Sequence, residues 1–374
     1  MRSFTIASVV SSLAFAAATT ACGGGSDTSS GGGGSSSTTS STSTSDTTSS
    51  STTDSTGGGG SAPTGGFLVA PLVPKDGDAT ELFRMNADGT DVTQLTKSTG
   101  MGMPTDNNDF PAISPDRKTI VFASGRDHAP EVNPMRRAMY AMDAAGGGVH
   151  RITNAPTESC IEYPGDVSPD GEWVVFMRSC DMSIDPITAN LDKLFRIKLD
   201  GTGEEKLAPN DALVTSQSNQ DAPAFTPDGK AVLFVSGDPS AELYKLDLAT
   251  MKITKISKNA EAGRTAAIRR PLVAPSGDVA YVETIASDYS DARMESVKLD
   301  GSGSTTLFEI PTDPTTLAFV YDTFALSPAG DQLAFSALGA NGETSLVVAG
   351  LDGKDPVTIY PSATFVGWGT LSWR

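Results

Sequence analysis

A four-residue turn recurs along this chain at intervals of roughly 50 residues, and such a period limits the fold to stacked or radially arranged repeats. It reads Ser114-Pro115-Asp116-Arg117, Ser168-Pro169-Asp170-Gly171 and Thr226-Pro227-Asp228-Gly229. Looser copies stand at Ala274-Pro275-Ser276-Gly277 and Ser327-Pro328-Ala329-Gly330. Pro presets φ, Asp bonds its own backbone, and Gly supplies the left-handed residue that closes a three-residue hairpin. Arg117 takes the glycine's place and is expected to carry a small strain.

An almost entirely apolar strand follows each turn: Ile120-Val121-Phe122-Ala123, Trp173-Val174-Val175-Phe176, Val232-Leu233-Phe234-Val235, Val279-Ala280-Tyr281-Val282 and Leu333-Ala334-Phe335. Such runs suit strands buried on both faces. Six further hairpins follow, at 82–96, 139–153, 194–207, 243–256, 294–307 and 345–359. Most turn at Asp-Gly, as at Asp88-Gly89, Asp200-Gly201, Asp300-Gly301 and Asp352-Gly353. Asp-Gly between apolar strands is a strong hairpin signal. Four strands per unit at this period predict an all-β, six-bladed β-propeller of four-stranded blades over residues 67–374. Six outer hairpins stand against five complete turns, so one blade is shared between the ends. Phe67-Leu68-Val69-Ala70 supplies its second strand and Gly369-Thr370-Leu371-Ser372-Trp373 its inner strand. Closure by both termini leaves no orphan edge.

These units resemble the TolB-type, WD40-like propeller repeat family, whose repeats read Pro-x-Trp-Ser-Pro-Asp-Gly, an apolar strand, then Ile-Tyr-x-Met and Asp-Gly. The resemblance covers about four fifths of the chain and is specific for fold. It implies an envelope setting. Such repeats occur in many envelope and secreted proteins; the family's namesake carries an α/β domain ahead of its propeller and works with a peptidoglycan-associated lipoprotein, whereas in this chain a Ser/Thr/Gly tract stands in that domain's place.

The segment before the repeats reads as an address. Arg2 is a short positive region, Phe4 to Ala18 is largely apolar, and Thr19-Thr20-Ala21 precedes Cys22. This resembles a bacterial lipoprotein cleavage site, with residues 1–21 removed and Cys22 lipidated. The apolar run is too short to span a bilayer. From Gly23 to Gly66 all but five residues are Gly, Ser or Thr. Residues 22–66 are therefore expected to be the lipid-attachment Cys and a disordered linker. A flexible coil of that length spans roughly 35 Å.

An exported chain sits where disulfides persist. With Pro169-Asp170-Gly171 as the loop, residue i faces residue 340 − i. Cys160 then faces Cys180, at cross-strand distances suited to a bridge.

The net charge is −18, from 27 Lys and Arg against 45 Asp and Glu, with no basic cluster. Nucleic-acid binding is not expected. The chain has two histidines, His128 and His150, and no Gly-x-Ser-x-Gly, Cys-x-x-Cys or P-loop. No catalytic residue and no metal ligand set is assigned. Counting back five residues from each turn's first residue gives Asp109, Tyr163, Asp221, Arg269 and Asp322, where inner strands begin at a propeller's channel mouth. The aspartates, with Glu162 beside Tyr163, form a candidate negative ring for a basic peptide. A divalent cation such as calcium is the one cofactor such a ring would accommodate. Arg126, Arg136 and Arg137, in the long loop from Gly125 to Arg137, are candidate contacts for a partner. A second loop, from Asp181 to Leu191, belongs with them.

The expected function is binding. A monomeric propeller, tethered at the bacterial envelope by its lipid alone, engages a protein or peptide through its channel face and loops. The alternative is a metal-assisted polysaccharide or lactone hydrolase or lyase using channel carboxylates.

Overall fold

Adjacent blades bury their apolar strands against one another, and this inter-blade packing closes the ring. The computed structural model describes residues 66–74, 77, 79–98, 107–127, 136–154, 160–180, 191–207, 213–215, 218–237, 241–259, 266–286, 291–310, 318–319, 323–338, 344–362 and 369–374. Cys22, the signal and linker segments, His128 and Asp322 lie outside these residues.

Six antiparallel sheets follow the chain. Blade one has Phe67–Leu72, Glu81–Asn86 and Thr93–Gln94, with Ser372–Trp373 as its inner strand. Leu68 pairs with Trp373, so both termini close this blade. Blade two has Asn108–Ile113, Thr119–Ser124, Ala138–Asp143 and His150–Arg151. Blade three has Ile161–Val167, Trp173–Ser179, Lys193–Lys198 and Glu205–Lys206. Blade four has Asp221–Phe225, Ala231–Ser236, Glu242–Asp247 and Ile253–Lys255. Blade five has Ala267–Val273, Val279–Ile285, Ala292–Lys298 and Ser304–Glu309. In blade six the inner strand is split into Ala318–Phe319 and Ala325–Leu326, followed by Gln332–Leu338, Thr344–Gly350 and Val357–Ser362. Among the described residues no helix is long and apolar enough to cross a membrane.

Eight residues beyond each turn's first residue, the second strand carries Phe122, Phe176, Phe234, Val282 and Phe335, all fully buried. Each faces the neighbouring blade. Phe122 packs with Val69 and Leu82 of blade one, and Phe234 with Val175 and Leu194 of blade three. Leu68 and Trp373 of blade one meet Leu346 and Val348 of blade six in one cluster, which completes the circle.

The repeated turns have four loop residues, not three. Ser168 N bonds Trp173 O and Gly171 N bonds Ser168 O. Ser168 Oγ donates to Asp170 at 2.5 Å and accepts from Trp173 N at 2.9 Å. Ser114 with Asp116 and Thr226 with Asp228 repeat the clasp, each at 2.7 Å. That accounts for the hydroxyl and the aspartate in the motif. Arg117 sits at φ +61°, where Gly171 has +77°. A left-handed non-glycine residue costs about 1–2 kcal/mol. Arg117→Gly is expected to raise stability by up to about 1 kcal/mol, part of the gain being offset by the looser unfolded chain. A higher urea midpoint at unchanged slope is the measurement that checks it.

A bulge interrupts each inner strand of blades two to five. The register shifts between Asp109 and Ala112, Pro164 and Asp166, Asp221 and Ala224, and Ile268 and Pro271. Bulges re-aim side chains, and these fall at the level of the channel mouth. Phe110 and Ala222, just after the mouth aspartates, take φ of +51° and +49°. In blade three a Cβ on Gly165 would come within 2.1 Å of Pro223 O. The inner strands of blades three and four therefore approach closely there.

Candidate functional site at the channel mouth

Inner and third strands start on one face, the mouth face, because strands alternate in direction across a blade. Polar side chains gather there. Three blades clasp the end of the outer strand in the same way. Thr96, Thr153 and Ser257 accept the backbone N–H of Leu82, Met139 and Leu243. Each hydroxyl donates to a buried carboxylate: Thr96 to Glu81 at 2.6 Å, Thr153 to Glu162, and Ser257 to Glu242. The hydroxyl residue that ends these three repeats, in Leu95-Thr96, Ile152-Thr153 and Ile256-Ser257, is thus a rim fastener.

Glu162 belongs to this scaffold. It is 0% exposed and takes Arg178 Nη2 at 2.6 Å. Arg178 also grips Glu204 through two bonds of 2.7 Å and lies over the Phe195 ring at 4.6 Å. Asp109 is buried as well and pairs with Arg137 Nε at 3.3 Å. Burial pushes the Asp109 carboxyl up, and Arg137 partly reverses this. Arg137 donates to Arg136 O, and its own carbonyl accepts Glu162 N at 3.0 Å. Arg136 is buried too. Arg126 is half-buried, stacked 5.1 Å over both Phe122 and Tyr140, with Nη2 on Asn108 Oδ1 at 2.7 Å. The long-loop arginines therefore have partners within their own blade or the next one. His150 is exposed at the start of blade two's outer strand, its Nδ1 2.8 Å from Gly148 O.

Tyr163 and Asp221 fall in a second cluster, between blades three and four, with a residue the repeats do not mark. Tyr163 stacks on Phe110, ring centroids 4.2 Å apart. Burial raises its hydroxyl, and the charges of Asp109, Asp221 and Asp192 raise it further. Asp192 opens the third strand of blade three. Its N–H bonds Asn219 Oδ1 at 3.2 Å, and its carbonyl accepts Gln220 N at 2.9 Å. Burial, then the Asp221 charge, push the Asp192 carboxyl up to about 7, while Ser179 and Lys193 pull it back. Lys193 Nζ donates to Ser218 O. Asp221 also accepts Ala222 N at 2.6 Å. Arg269, on the blade-five strand, is exposed. The ring of candidates thus divides. Asp109 and Glu162 are paired with arginines inside the rim, whereas the charge of Asp221 acts on the Asp192 carboxyl and raises it.

Asp192 ties stability to pH. Its folded pKa lies above the ordinary carboxylate value near 4, so protonation favours the folded state. The contribution is complete below about pH 4 and is lost as pH rises through about 7. Among the described residues, Asp221, Lys193 and Tyr163 are titratable groups that interact with it. Asp192→Asn is expected to melt higher than wild type at pH 8 and to lose that advantage at pH 4. A difference that does not change with pH contradicts this.

Farther along the channel, side chains cross it. Arg374 Nη2 of blade one reaches Asp166 Oδ1 of blade three at 3.1 Å. Arg270 Nη2 of blade five donates to Gly165 O of blade three at 2.9 Å. Both skip an intervening blade, so the channel is bridged below its mouth. Asp166 also accepts Phe225 N of blade four at 3.2 Å. Cys160 and Cys180 form a disulfide on the mouth side of blade three, Cα atoms 4.2 Å apart. Among the described residues no three His, Cys, Asp or Glu side chains are grouped so as to hold a metal ion.

No family model matches the chain. Over 216 residues it is 26% identical to the Tol-Pal system protein TolB of Francisella tularensis, covering 56% of this chain and 41% of that protein. The TolB structure from Acinetobacter baumannii aligns with a TM-score of 0.61 at 18% identity, over 82% of this chain and 66% of that one. A puromycin-hydrolysing peptidase of Mycobacterium tuberculosis aligns with a TM-score of 0.51 at 12% identity, over 80% of this chain and 54% of that one. The chain spans less than two thirds of each of these proteins. Structural likeness at such identities speaks for fold alone. The described residues from Phe67 onward form a six-bladed β-propeller, similar in fold to TolB.

Proposed function

We propose that this propeller is a binding module of the bacterial envelope that receives a protein or peptide partner on its mouth face. The observation that carries the reading is the Asp192–Asp221 pair beside Tyr163. Asp192, Asp221 and Tyr163 are half-buried, and burial, then the charge of Asp221, push the Asp192 carboxyl up to about 7. A Lys or Arg side chain of a partner would relieve both the burial and the mutual repulsion. The aromatic pair of Phe110 and Tyr163 adds a surface for its apolar stem. The Francisella relative is a protein of the Tol-Pal system, which favours an envelope protein as the partner. In the same reading Cys22 carries a lipid and residues 23–66 form the tether. The propeller acts as a monomer, without a cofactor and without catalysis. Arg269, exposed on the blade-five strand, extends the contact.

The test is retention. Immobilised residues 65–374 are incubated with envelope extract of the protein's own cells, beside an Asp192→Asn/Asp221→Asn variant. A protein held by the first and released by the second supports the reading. Equal retention by both moves the contact away from the mouth.

A second reading takes support from the same pair. Two adjacent carboxyls, one of them near pH 7, suit general acid–base chemistry. It would make the protein a polysaccharide or lactone hydrolase or lyase. Turnover of a polysaccharide and lactone panel with Ca²⁺ or Mn²⁺, abolished by Asp192→Asn, is the result that would favour it.

A further inference from the structure

The disulfide joins the two strands whose ends build the mouth of blade three. Cys160 lies three residues before Tyr163, and Ile161 is the last rung of the ladder, opposite Ser179. Ser179, next to Cys180, also bonds the Asp192 carboxyl. From Cys160 the same rim continues into blade two, where Arg137 bridges Ile161 and takes Glu162 N. One covalent bond therefore abuts the rung whose Ser179 bonds the Asp192 carboxyl. The two sulfurs differ in access: Cys160 is 0% exposed, whereas Cys180 is half-buried.

We propose that the Cys160–Cys180 bridge is a redox-sensitive clamp on the mouth, fixing Asp192 beside Asp221 and Tyr163 when oxidised and releasing it when a dithiol reduces the bond. This regulation rests on reading the mouth as the docking surface. The chemistry is thiol–disulfide exchange. A thiolate of the dithiol attacks Cys180 Sγ, the accessible sulfur, and the S–S bond breaks. Cys160 Sγ leaves with the electron pair and takes up a proton. The second thiol of the dithiol then displaces Cys180, also as a thiolate that is protonated. Two electrons pass to the cysteines, and the dithiol ends as a disulfide. Without the bond the last rung frays, water reaches Asp192, and the carboxyls separate. Both larger causes of its raised titration then weaken, while the smaller opposing bond from Ser179 is also lost.

The test follows the Asp192 carboxyl carbon by NMR across pH, in the full chain, oxidised and after dithiothreitol. No partner is needed, so a failure of the docking reading leaves this result standing. The expected result is an intact β-sheet spectrum with Asp192 titrating at least one unit lower after reduction. By reciprocity, Asp192→Asn should then make the bridge harder to reduce at pH 8, by about tenfold in dithiol ratio per unit of that shift. An unchanged titration in reduced, folded protein would overturn the proposal. So would loss of the β signal on reduction, since the bridge would then hold the whole blade rather than its rim. Equal reduction midpoints for wild type and Asp192→Asn at pH 8 would overturn it too.

Discussion

Arg178→Met is expected to destabilise the propeller by about 3–5 kcal/mol, the range for stranding one member of a buried ion pair. Glu162 is fully buried, and its carboxylate would keep the Thr153 hydroxyl but lose its ion-pair partner. The guanidinium lies over the Phe176 and Phe195 rings at 5.3 and 4.6 Å; Met keeps an unbranched apolar chain there, so the loss is mainly electrostatic rather than a cavity. Glu204 is 32% exposed in its side chain and can return to water. The double variant Glu162→Gln/Arg178→Met removes both buried charges and should regain much of the loss. Urea unfolding of the two single variants and the double variant measures the coupling. If Arg178→Met unfolds at the wild-type midpoint, Glu162 is not held as described. The prediction also separates roles: a Glu162 needed for the rim acts on a partner only through the fold.

Reduction of the Cys160–Cys180 bridge is expected to lower stability by about 3 kcal/mol in the chain-entropy view, the closed loop spanning a sequence separation of 20. The effect lies in the unfolded chain, which regains the freedom of that loop. A domain with about 5–15 kcal/mol of stability survives it. Cys160→Ser/Cys180→Ser should match the reduced protein within the cost of burying two hydroxyls. Midpoints equal to that of the oxidised form would contradict the account.

The blades and their number were legible because each repeat is local: a turn, an apolar strand and an Asp-Gly hairpin within one stretch of chain. The disulfide partner was legible too, through two offsets that cancel. The turn holds one loop residue more than its motif suggests, and the bulge at Gly165 returns the register, so Ile161 still faces Ser179. Asp192 was not legible. It stands in no repeated position, and its titration arises from burial and from Asp221, a residue of another blade. The pairing of Arg137 with Asp109 and the reach of Arg374 to Asp166 join residues far apart in sequence. Only the closed ring brings them together. Counting back from the turns picked out Asp109 and Asp221 alike, but it could not tell that Asp109 is paired with Arg137.

Site-specific photo-cross-linking in living cells tests the central claim most directly. A photoreactive residue replaces Tyr163 at the mouth in one full-length variant. In a second it replaces Thr305, exposed on the outer strand of blade five. The account predicts a discrete adduct with one envelope protein from position 163 and none from position 305, with the first adduct weakened by Asp192→Asn/Asp221→Asn. Adducts from 305 alone, or a position-163 adduct indifferent to those carboxyls, would contradict it.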